Sequence, residues 1–378
     1  MSHATGRASS PSAREEGRLR SSLERIAHRR AARRHRSNSN GNGRTLPPPQ
    51  VLVRAPGWEF EFGDVDRPFH AASSGKLMTA ALIARLVERG RFGFDSPIGA
   101  VLPTADVARL PAVAGVDVAG DVAVEHLLTH TSGLPDFFEP PRGHETAASA
   151  TAAVVDRNRR WSPAELLDEA RRLPAVGPPG ERFHYSDTNY VLLGRLAEEA
   201  EGETLSTLLR RHIFEPSGME RSSTPYDATL IADDLSGLDV APFWIGRHEL
   251  SRAHSVSLDW AGGNVVGPPD DFVRFQQALH GGRLISPEHV AHLARPRNRY
   301  RRGIHYGAGT MTLRFGELLP PLMRGLPGPV GHLGFWATHV FHYPEQDAQV
   351  VLNFHSDRHM NQSFRIHAGI ARLLSALR

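Results

Sequence analysis

The chain has 378 residues, 40% hydrophobic and 22% charged, with a formal net charge of +3. Those proportions are ordinary for a globular protein of one large or two smaller packed domains. There is no cysteine, which excludes disulfides and thiolate metal sites. No run approaches the roughly 20 apolar residues of a membrane span.

Charge is unevenly placed. Residues 1–50 hold 11 arginines and 3 glutamates, so a basic arm precedes a mildly acidic body. Residues 1–12 read as disordered. A helix is predicted over residues 13–35, with Leu19, Leu23 and Ile26 on one face and arginine on the others. No aromatic interleaves those arginines and no DNA-binding fold is visible, so a solvated amphipathic helix is expected and nucleic-acid binding is not. Arg29-Arg30 and Arg33-Arg34 precede a Ser/Asn/Gly/Pro linker rather than an apolar export segment. A cytoplasmic location is expected.

Short strands are predicted over residues 51–53 and 58–62. A helix follows over residues 73–89, apolar nearly all round and therefore buried. Further helices are predicted over residues 122–129, 163–172, 189–200, 205–213 and 271–280. Strand patterns return over residues 311–315, 336–343 and 348–354, and a helix over 362–377 closes the chain. Strands, many helices, strands, then a helix suit an α+β fold: an α/β sandwich on an antiparallel sheet, plus an all-helical domain. The expected division is a basic arm (1–45), a sheet domain from 46–70 and 286–378, and a helical domain (71–285).

Lys76 is the only lysine, against 43 arginines. Arginine cannot lose its proton in a protein, whereas a buried lysine can. Ser73 lies three residues earlier, on the same helical face, so an amine stands beside a hydroxyl it could activate. His126 and His130 are at i, i+4, but the His-Glu-x-x-His pattern of a zinc helix is absent and no metal is expected. No phosphate-binding glycine loop is present and no cofactor is expected.

Four segments extend this picture: Phe69-His70-Ala71-Ala72-Ser73-Ser74-Gly75-Lys76; His126-Leu127-Leu128-Thr129-His130-Thr131-Ser132-Gly133-Leu134; Tyr185-Ser186-Asp187-Thr188-Asn189; and Gly331-His332-Leu333-Gly334-Phe335. In this order they resemble the serine β-lactamase and penicillin-binding protein family, in the branch of class C β-lactamases, DD-peptidases and esterases. Ala261-Gly262-Gly263 adds weaker support. The resemblance runs from about residue 50 to the end. It implies the β-lactamase/transpeptidase-like fold and an acyl-enzyme serine hydrolase acting on a small ester, amide or peptide. Ser73 is then the nucleophile, Lys76 its base and Tyr185 a second proton carrier. The backbone N–H groups of Ser73 and Phe335 form the oxyanion hole. Asp187, His332, Leu333 and Gly334 meet the substrate. An acyltransferase using the same Ser/Lys/Tyr set, or a silent scaffold of the same fold, are the alternatives.

Two departures bear on mechanism. Asp187 stands where many members have asparagine, and its charge would raise the Lys76 pKa. His332 replaces a strand lysine, so it supplies little positive charge at neutral pH and would charge near pH 5.5 if unperturbed.

Overall fold

The computed structural model describes residues 11–38, 46–318 and 323–377. The disorder expected for residues 1–12 falls almost entirely outside them, as does much of the linker. Strands from both chain ends pair into one eight-stranded sheet. Its strands are β1 (Gln50–Ala55), β2 (Trp58–Phe62), β3 (Asn298–Arg301), β4 (Ile304–Tyr306), β5 (Met311–Leu313), β6 (Val330–Gly334), β7 (Thr338–Tyr343) and β8 (Ala348–Asn353). The order is β2-β1-β8-β7-β6-β5-β4-β3, and every pairing is antiparallel. Val51 faces Leu352 and Val53 faces Val350 across the β1–β8 seam, which joins the two ends of the chain.

Both faces of the sheet are covered, so the central strands read as apolar runs rather than alternating ones. On one face Val51, Val53, Phe341 and Val350 pack under α1 (Ala13–Asn38) and the C-terminal helix Met360–Leu374. The arm is therefore not simply a solvated helix: Leu19, Leu23 and Ile26 are buried in this core. Arg30 is buried as well, donating to the carbonyl of Phe354. The opposite face carries Leu52, Val340 and Val351 against the helix Pro269–His280 and the central helix α2 (Lys76–Glu88). Helix α2 is buried at ten of its residues, as its all-round apolar pattern requires. The other helices surround it, with α3 (Asp187–Glu201) its main neighbour. No helix among the described residues is long and apolar enough to cross a membrane.

Candidate active site

Three of the sequence blocks meet at the N-terminal end of α2. Ser73 sits in a 3-10 turn, Ala72–Gly75, that runs directly into α2 at Lys76. Residues i and i+3 eclipse in such a turn, and Lys76 Nζ lies 3.2 Å from Ser73 Oγ. The turn begins under strain: Ala72 has φ +49°, a left-handed conformation that non-glycine residues seldom adopt. Close approach fixes its depth. A Cβ on Gly263 would meet the Ala72 carbonyl oxygen at 2.1 Å, so only glycine lets the Ala261-Gly262-Gly263 segment pass beneath the turn.

Ser73 is half-buried at the cleft, whereas Ser74 is buried beneath it. Ser74 Oγ donates to the His332 carbonyl at 3.2 Å and lies 3.3 Å from Thr338 Oγ1. It fastens the turn to β6 and faces away from the cleft.

The Lys76 side chain is fully buried, with three oxygens around Nζ. These are Asp187 Oδ1 at 2.5 Å, the Gly262 carbonyl at 3.0 Å and Ser73 Oγ. An amine and an ammonium could both make these contacts, because Ser73 can accept from one and donate to the other. Charge decides between them. Burial alone pushes the Lys76 pKa down, but Asp187 and then Asp259 outweigh it, and the net shift is upward. Lys76 is therefore an ammonium in the resting site and not the free amine a resting base would be, in the direction expected from the Asp187 charge.

Asp259 and Asp136 complete this group. Asp259 ends the 3-10 helix His254–Asp259, and burial, offset by Lys76, leaves its pKa at about 7. Asp136 is pushed to about 8 by burial and by Asp187. Its carboxylate nevertheless accepts backbone N–H bonds from Asp187, Phe138 and Glu139. Through these bonds Asp136 caps its loop, while the sequence alone points to no role for Asp259. No spacing signal ties a residue so far along the chain to Lys76.

Tyr185 lies just before α3. Its ring is 5.3 Å from Lys76 Nζ. Burial and Asp187 raise its pKa well above the usual tyrosine value, only partly countered by the nearby Ser73 hydroxyl. Tyr185 is thus a neutral phenol. His130, from the second block, supports it with its ring 4.3 Å away. His130 Nδ1 accepts from the backbone N–H of Ser186 and from Asn189 Nδ2. Ser132 Oγ donates to Asn189 Oδ1 at 2.6 Å. The second block therefore holds the third in place. His126 accepts the Ala123 N–H at the start of the short helix Val124–Leu128, while His130 lies past its end at φ +56°. The two rings do not share a helical face.

His332 is not at the cleft wall. Its ring is fully buried, its Nδ1 faces the Leu333 carbonyl at 2.6 Å, and its Nε2 lies 3.2 Å from Tyr306 Oη. Tyr306 Oη also lies 3.1 Å from His130 Nε2. The partners fix the tautomers, giving a directed chain from His130 Nε2–H to Tyr306 Oη–H to His332 Nε2. Burial, then Lys76, lowers the His332 pKa to about 3. It stays neutral at pH 5.5, and the expected contact between its side chain and an anionic substrate is not formed. Leu333 and Gly334 do line the cleft. The need for glycine at 334 comes from behind the strand, where a Cβ would meet Thr338 Oγ1 at 2.0 Å and the Ala71 carbonyl at 2.4 Å.

Phe335 lies beside Ser73, and both border two recesses. One is apolar. The other, of about 250 Å³, also contains Asp136, Glu139, Tyr185, Tyr300 and Arg301.

Comparison with known proteins agrees with this fold. The family model described as Beta-lactamase matches residues 53–374. Penicillin-binding protein 4 of Amycolatopsis lactamdurans is 30% identical over 47% of this chain and 44% of its own length. The matched chain thus spans under half of that relative. The D-stereospecific amidohydrolase of a Streptomyces species superposes with a TM-score of 0.70 at 20% identity, covering 89% of this chain and 94% of that one. EstCE1, titled a hydrolase with promiscuous acyltransferase activity, gives 0.68 at 17% identity, covering 95% and 99%. At those identities the superpositions speak to the fold alone. With the family model matched over most of its length, and the sheet and helices in the arrangement described, this chain belongs to the Beta-lactamase family, a family of serine hydrolases and acyltransferases.

Proposed function

We propose that the protein is an acyl-enzyme serine hydrolase acting on a small ester or amide, with Ser73 as nucleophile. The observation that carries this reading is the Ser73 hydroxyl at the cleft, 3.2 Å from a buried Lys76 ammonium and sharing a recess with the neutral Tyr185 phenol.

Ser73 Oγ attacks the acyl carbonyl carbon. Its proton passes to Tyr185 Oη as Tyr185 gives its own to the departing oxygen or nitrogen. The Oγ–C bond forms and the bond to the leaving group breaks. Lys76 remains charged throughout and stabilises the developing negative charge on Oγ and on the phenol oxygen. The carbonyl oxygen takes hydrogen bonds from the N–H groups of Ser73 and Phe335. Water entering where the leaving group left repeats the exchange in reverse and frees the acid. An alcohol or amine in its place makes the protein an acyltransferase, the activity named for EstCE1.

Mixing enzyme with p-nitrophenyl acetate tests the reading. A burst of one p-nitrophenolate per chain is expected, absent in Ser73→Ala. A burst that survives in Ser73→Ala overturns it.

A further inference from the structure

The two recesses at Ser73 differ in chemistry. The apolar one is walled by Phe137, Val191, Ile245, Leu250, Val256 and Leu258, and its only ionisable side chains are Asp187 and Asp259 at the Lys76 end. The larger one holds Glu139, Arg301 and Asp357, and it is the recess that contains Tyr185. Tyr185 is absent from the walls of the apolar recess. A leaving group that takes its proton from Tyr185 must lie on the Tyr185 side. The acyl chain then lies on the other.

We propose that the apolar recess, of about 30 Å³, binds the acyl part of the substrate, selecting a short, uncharged aliphatic acyl group somewhat larger than acetyl, while the polar recess takes the alcohol or amine. This assignment rests on the acyl-enzyme reading above. An anionic acyl chain would lose its hydration in this recess and meet only carboxyl groups there. Each buried methylene is worth roughly a factor of four, so p-nitrophenyl butanoate should exceed the acetate about tenfold in kcat/KM. Succinate monoesters, with a carboxylate on the acyl chain, should fall below the acetate. Val256→Trp, which fills the recess, should pull the butanoate-to-acetate ratio down toward one. A wild-type ratio at or below one, or an apolar preference that follows the alcohol in a series of acetate esters, overturns the assignment. Absence of the Ser73-dependent burst would instead overturn the acyl-enzyme reading.

A separate observation concerns His70. Its ring is fully buried among Tyr226, Phe243 and Trp336, with centroids 5.2–6.2 Å away. Its Nδ1 accepts from the Ala72 N–H at 3.0 Å and from Trp336 Nε1–H at 3.2 Å. Ala72 precedes Ser73 and Trp336 follows Phe335. One acceptor atom therefore ties together the two segments whose N–H groups form the proposed oxyanion hole. We infer that His70 is a positioning residue that sets the spacing of that donor pair and holds the strained Ala72 conformation.

His70→Leu keeps an apolar side chain but loses the acceptor. Asn, whose amide oxygen branches where Nδ1 does, restores it. His70→Leu should lower kcat by about 10- to 100-fold with KM little changed, less than the roughly 100- to 1,000-fold cost of removing an oxyanion donor because the donors are displaced and not lost. It should weaken inhibition by an alkyl boronic acid, which forms a tetrahedral adduct, in parallel. His70→Asn should recover most of both. Trp336→Phe removes only the indole donor and gives a second reading if the leucine variant does not fold, with a fall in kcat of several-fold expected. Unchanged kcat in a folded His70→Leu protein, or boronic acid affinity unchanged while kcat falls, contradicts the inference. So does wild-type kcat in Trp336→Phe.

Discussion

Asp187 Oδ1 lies 2.5 Å from Lys76 Nζ, and the lysine side chain is fully buried in this contact. The pair determines what Lys76 can do. Beside Asp187 the amine holds its proton above the ordinary lysine range, and in the proposed mechanism it serves as a fixed charge rather than a base. Removing Asp187 leaves burial, which lowers the pKa, opposed mainly by Asp259. Asp187→Asn should therefore lose more than tenfold in kcat/KM at pH 8. It should also show a new basic limb, with activity falling as pH rises through the lowered Lys76 pKa. The wild type should show no such limb below pH 10. Were Lys76 the resting base, Asp187→Asn would be more active near neutrality, because more of the amine would be free. Steady-state profiles from pH 5 to 10 separate the two.

Preference among substrates follows from the position of His332. A buried neutral ring offers no cation to a β-lactam carboxylate, and its pKa of about 3 leaves it neutral across the working range. The ratio of kcat/KM for nitrocefin to that for p-nitrophenyl acetate should be low. It should not rise between pH 7.5 and 5.5 on account of His332. The same pH dependence in His332→Asn as in wild type would agree. A rise that vanishes in the variant would place a charged His332 at the substrate.

Buried histidines make the fold sensitive to acid. His70, His332, His355 and His367 are fully buried, and burial is the first cause in each of a pKa of about 3. A depressed folded pKa means the unfolded chain binds more protons, so stability is lost as pH falls below about 6.5. At pH 5 each costs about 2 kcal/mol, or about 8 together. Asp136 and Asp259 act oppositely, their raised pKa values returning about 5 kcal/mol between pH 7 and 5. His130 and His339, also held well below the usual value, add to the loss. The balance is a net loss of several kcal/mol, a large share of ordinary domain stability. The urea midpoint should drop sharply between pH 7 and 5. A midpoint that is constant or rises toward pH 5 contradicts this.

Much of the site could be read from the sequence because its chemistry restricts residue types. Lys76 stands out as one lysine among 43 arginines, and its spacing to Ser73 survives as a single 3-10 turn. The sheet built from both chain ends followed from the order of elements. What could not be read depends on what covers a residue. The pattern around His332 identified a strand but not that Tyr306 would close over the ring. The edge strand Asn298–Arg301 and its neighbour Ile304–Tyr306 carry no clear sequence signal because both are short and the first is arginine-rich and irregular between Arg299 and Arg301. Asp259 was silent because its neighbour in space is distant in sequence. The helix Pro287–Ala294 was missed despite a readable start, Ser286 as cap and Pro287 at its first position.

The central claim is that Ser73, and not the adjacent Ser74, carries the acyl group. Ser74 is buried and hydrogen-bonded to β6, while Ser73 faces the cleft beside Lys76. Labelling with a fluorophosphonate, followed by peptide mass spectrometry, tests this most directly. The adduct should map to Ser73, disappear in Ser73→Ala and persist in Ser74→Ala. An adduct on Ser74 or another residue, or none in a preparation that hydrolyses esters, contradicts the account.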